Sequence, residues 1–111
     1  MYRLKLHKNL TAEKWKTFGR GKQLLMIANE LNRAKNLVQR GDRDEVLMAF
    51  ERAFELLDLT IDLTETSLVR YELLRFRELL AQSYLESGRH GLDKLIKVLV
   101  SLDKESYNVL T

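Results

Sequence analysis

The sequence predicts an all-α protein: an up-and-down helical bundle of three long helices plus a shorter C-terminal helix, preceded by a short N-terminal helix and a basic arm. Three observations lead there. Apolar residues recur at spacings of three and four along most of the chain, the signature of one helical face. Glycine marks turns at Gly41-Asp42 and at Gly88-Arg89-His90-Gly91, dividing the chain into two helical hairpins. Proline is absent from all 111 residues, so no helix is interrupted by a missing amide. That length suits one domain, 1–111, with residues 1–10 as an extended arm.

The elements follow in order. Tyr2, Leu4 and Leu6 alternate with Arg3, Lys5 and His7, the period of extended chain. A lone strand lacks a partner, so this segment is expected as an arm lying on the domain or on a second subunit. Thr11 is placed to cap a short helix over 12–18, with Glu13 favourable against its dipole and Trp15 and Phe18 on one side. Gly19 and Gly21 predict a bend. From 22 to 40, Leu24, Ile27, Ala28, Leu31, Ala34 and Val38 make one apolar face. Arg40-Gly41 then reads as a last-turn cation and a left-handed stop, and Asp42 with Glu45 as the next cap.

The helix predicted over 43–63 carries Val46, Phe50, Ala53, Phe54, Leu57 and Ile61 on its main face, and Met48, Leu56, Leu59 and Leu63 on a second. Glu51, Glu55, Asp58, Asp62 and Glu65 form an acidic ridge, expected in solvent. A third long helix over 67–87 places Val69, Leu73, Phe76, Leu80, Ser83 and Tyr84 inward, with Tyr71, Leu74, Ala81 and Leu85 on another side. Leu92, Leu95, Ile96, Leu99 and Leu102 define the C-terminal helix, expected at about 12 residues or ~18 Å. The run Gly41-Asp42-Arg43-Asp44-Glu45-Val46, continuing to Ala49-Phe50-Glu51-Arg52-Ala53-Phe54-Glu55-Leu56, resembles the turn and second helix of a tetratricopeptide repeat. Glu30 and Arg33 stand where that repeat's first helix has Trp and Leu, and no second copy follows, so the likeness implies a helical hairpin alone. In overall architecture the chain is similar to the small four-helix-bundle proteins encoded within bacterial ribosomal RNA insertions, with no shared motif.

Several chemistries are excluded by composition. With no cysteine there is no disulfide, thiolate nucleophile or Cys-ligated zinc. Every apolar run is broken well short of the ~20 residues of a membrane span, and the N-terminus lacks the apolar segment of a secretion signal, so a cytoplasmic location is expected. The two histidines, His7 and His90, have no acid three residues before them, so the ridge does not match a di-metal bundle. No phosphate loop, nucleophile elbow or zinc-binding His pair is present. No catalytic residue, metal or cofactor is therefore expected, and Gly19-Arg20-Gly21-Lys22 is at most an anion site at a helix start.

Surfaces carry what remains. Residues 1–40 hold ten Lys/Arg against Glu13 and Glu30, whereas residues 41–67 hold two Arg against eight acids, so a net charge of +3 hides a dipolar chain. Lys14, Lys16, Arg20 and Lys22, with Trp15 to stack on a base, define an alternative reading as an RNA- or DNA-binding module. On the competing reading the basic segment neutralises the acidic helix within the chain, and Trp15 and Phe18 pack as core. The principal expectation comes from the second apolar stripes. Met48, Leu56, Leu59, Leu63, Tyr71, Leu74 and Leu85 exceed what a short C-terminal helix covers. They are expected to form an interface in a homo-oligomer, a dimer above all, of a non-enzymatic protein acting through protein–protein contacts.

Overall fold

The structure is a computed structural model that describes residues 6–86 and 91–110, with side chains as far as Leu102. Five helices follow in order: α1 (Ala12–Thr17), α2 (Arg20–Arg40), α3 (Arg43–Leu63), α4 (Ser67–Leu85) and α5 (Leu92–Leu110). No strand occurs among the described residues. α2 packs against α3 and α5, and α4 packs against the same two, so four helices close a ring around one core. The fold is the expected all-α bundle.

Local chemistry sets the boundaries. Thr11 Oγ1 accepts the Lys14 amide at 3.1 Å and starts α1. Gln23 Nε2 donates to the Trp15 carbonyl at 2.8 Å, which also accepts the Phe18 amide, and to the Phe18 carbonyl at 3.2 Å, tying α2 to the end of α1. At the α2–α3 turn Gly41 adopts φ 76°, and the amides of Gly41 and Asp42 return to the Val38 and Leu37 carbonyls. Only glycine enters that left-handed region without a Cβ penalty. The Asp42 carboxylate then accepts the Glu45 amide at 3.2 Å, starting α3 as predicted.

α3 is the central helix, with nine buried residues from Val46 to Ile61. Its companions include Leu24, Ile27, Leu31, Leu73, Phe76, Leu80 and Leu99, all essentially sealed from solvent. Tyr84 meets the edges of Phe50 and Phe54 at centroid distances of 5.8 and 5.9 Å, joining α4 to α3 through T-shaped contacts.

The structure corrects three expectations. The C-terminal helix is 19 residues long, not about 12, and matches α4. No glycine or proline follows Gly91, so nothing in the chain stops it. Leu56 and Leu59 are 1% and 0% exposed, so neither belongs to an outward interface. The N-terminal segment is the reason, because it folds back on that side of α3. Trp15, itself buried, donates its indole N–H to Thr60 Oγ1 at 2.9 Å. One member of the acidic ridge is likewise covered, Glu55 by residues 6 and 7, while Asp58 pairs with Arg77 of α4 and keeps a 38% exposed side chain. The predicted turn at 88–90, His90 included, and the part of the arm before Leu6 lie outside the described residues.

Candidate interaction surfaces

The strongest surface feature stands on α4. Leu73, Phe76, Leu80 and Ser83 turn inward, while Leu68, Tyr71, Leu74, Leu79 and Leu85 are each 45–81% exposed. At about 100° per residue these five, with the exposed Arg75, Glu78 and Gln82, occupy the side of α4 roughly opposite the core. Five half-open or fully open large side chains on one helix amount to several hundred Å² of apolar surface, on the order of the largest patch a monomer ordinarily shows. Tyr71, Leu74 and Leu85 were legible in the sequence as a second stripe. Leu79, five residues from Leu74 and six from Leu85, falls off the three-and-four repeat of that stripe, whereas Leu68, three before Tyr71, lies on it and was missed at the very start of the helix.

The other predicted contact residues divide. Met48 is 37% exposed near the start of α3, and Leu63 is half-buried against the core. Leu25 of α2 and Val100 of α5 are exposed singly on other helices, as is common at protein surfaces.

The basic residues are brought to one end without an aromatic platform. Lys14, Lys16 and Lys22 are exposed and Arg20 is half-buried. Trp15 is 0% exposed, so it cannot stack on a base, and Lys22 Nζ sits 4.2 Å above the Phe18 ring instead. Further along α2, Arg33, Asn36, Leu37 and Arg40 line an open groove of about 320 Å³ with Glu45 of α3. The mixture of cations and a carboxylate there is that of an ordinary solvated helix turn.

Sequence reasoning also missed a polar cluster beneath the N-terminal segment. Glu55 of α3 accepts the Leu6 and His7 amides at 3.0 and 2.9 Å, and its Oε1 lies 2.8 Å from His7 Nδ1. His7 Nε2 faces Glu30 of α2 at 3.8 Å. The three side chains are only 13–19% exposed, so His7 ties the segment to two helices at once. Glu30 Oε2 is buried with no hydrogen-bond partner among the described residues. Arg77 Nε donates to Asp58 at 2.6 Å, which raises the guanidinium pKa, chiefly through that hydrogen bond. Among the described residues no three His, Asp or Glu are placed to hold a metal ion, and no helix is long and apolar enough to cross a membrane.

Compared with family models, curated proteins and solved structures, the chain matches none.

Proposed function

We propose that this protein is a self-associating helical-bundle module that acts through protein–protein contacts rather than through chemistry of its own. The apolar face of α4 carries the reading. Leu68, Tyr71, Leu74, Leu79 and Leu85 face outward from a helix whose opposite side already fills the core. The chain has the material to bury such residues, as α3 demonstrates, so leaving five of them on one exposed face favours a partner. A closed two-fold dimer satisfies such a face with one kind of contact.

Light scattering across a concentration series tests this. The wild-type mass should rise from 13.1 kDa toward twice that value. Leu74→Asp, at a position already wet in the single chain, should keep its helical circular dichroism and weaken association at least tenfold. A mass of 13.1 kDa at every concentration up to millimolar would overturn the proposal.

A further inference from the structure

The exposed face of α4 has an internal order that specifies how two copies meet. Leu68, Tyr71, Arg75, Glu78, Gln82 and Leu85 are spaced three, four, three, four and three apart, the heptad rhythm of a helix that packs along another helix. Reversed about the midpoint between Phe76 and Arg77, the row maps onto itself: 68 falls on 85, 71 on 82 and 75 on 78. The flanking Leu74 and Leu79 exchange in the same operation. Apolar positions therefore meet apolar positions at the ends and flanks, and a cation meets an anion at the centre.

We infer that α4 pairs antiparallel with α4 of a second copy, about a two-fold axis through that midpoint. This rests on the self-association reading above. Leu68 then packs on Leu85 of the other copy, Leu74 on its Leu79 and Tyr71 beside its Gln82. Arg75 of each copy lies against Glu78 of the other. Charge decides the direction. In a parallel pair in register, Arg75 would face Arg75 and Glu78 would face Glu78, two like-charge contacts in the middle of the seam. Neither side chain makes an ion pair among the described residues, so both remain available. The flanking leucines shield the two cross pairs from water, the setting in which such pairs contribute most to orientation.

Two measurements decide it. In sedimentation equilibrium, Arg75→Glu and Glu78→Arg should each weaken association at least tenfold, because each sets like charges together twice. The double variant should return to within about threefold of wild type. Both substituted positions are on the surface, so circular dichroism should show equal helicity in all four proteins. Cross-linking fixes the register, since the chain has no cysteine of its own. Under mild oxidation, Leu68→Cys mixed with Leu85→Cys should give the mixed disulfide, and Leu68→Cys alone should give little. Association that ignores the charge variants, or linkage of Leu68→Cys to itself in preference to Leu85→Cys, overturns this pairing while leaving self-association intact. A wild type that stays monomeric at millimolar concentration removes both.

Discussion

Leu59 and Leu74 separate the core of this protein from its contact face, and truncating each to alanine reads the difference. Leu59 is 0% exposed about one turn from the end of α3, within the bundle core. Removing three buried carbon groups costs about 2.4 kcal/mol in transfer alone. The cavity left in a packed interior brings the total to about 3 kcal/mol, within the usual range for such truncations. An unfolding entropy of roughly 2.1 cal/mol/K per residue over 111 residues converts this to a fall in Tm of about 13 °C. Leu74 is 45% exposed, so its truncation forfeits at most about 1.3 kcal/mol, or roughly 6 °C. Association should respond in the opposite order. Leu59→Ala should dimerise as the wild type does wherever it is folded, and Leu74→Ala should dimerise more weakly. Urea and thermal unfolding at low micromolar concentration, paired with mass measurements above it, supply both readouts. A Leu59→Ala variant that keeps its stability but loses association would refute the burial argument.

Three further outcomes follow from local geometry. Glu55→Gln removes the charge that receives the Leu6 and His7 donors and should cost about 1–2 kcal/mol in urea unfolding, whereas Glu51→Gln, exposed one turn earlier, should stay within about 0.5 kcal/mol. Gly41→Ala meets no atom within 4 Å, so its cost is purely that of a Cβ at φ 76°, about 1 kcal/mol, and Gly41→Asn should recover part of it. The Lys35 ammonium, 2.7 Å from Asp93, holds that carboxyl below its ordinary 3.8, mainly by hydrogen bonding. Because the folded value is the lower one, the pair's small contribution is complete above the ordinary carboxylate pKa and disappears as pH falls through the folded value. An NMR titration of Asp93 should show this, and Lys35→Met should return it to the ordinary range.

The fold was legible because its punctuation is chemical. Gly41 and Asp42 each do a job that few residues do, and α3 begins and ends where its apolar period begins and ends. α5 was underestimated because its apolar period was followed only as far as Leu102, although no breaker follows Gly91. The contact face was only partly legible. Periodicity tells which residues share a side of a helix, but not which neighbour covers that side. Leu56 and Leu59 lie on a stripe as apolar as that of α4, yet both are buried, on the side of α3 where Leu6 and His7 bond to Glu55 and Trp15 bonds to Thr60. Conversely, Arg75 and Glu78 interrupt the apolar pattern on α4 and hide a heptad row that becomes visible once exposure is known. The His7–Glu30–Glu55 cluster joins residues up to 48 apart in sequence, and nothing local announces it.

Whether the outward side of α4 is covered in solution can be read from the reactivity of a single thiol. Leu74→Cys in this cysteine-free chain should react with a maleimide quickly in dilute solution and progressively more slowly as concentration climbs, while Asn32→Cys, at an exposed position of α2, keeps a constant rate. A Leu74→Cys rate that is the same from micromolar to millimolar protein would contradict the account.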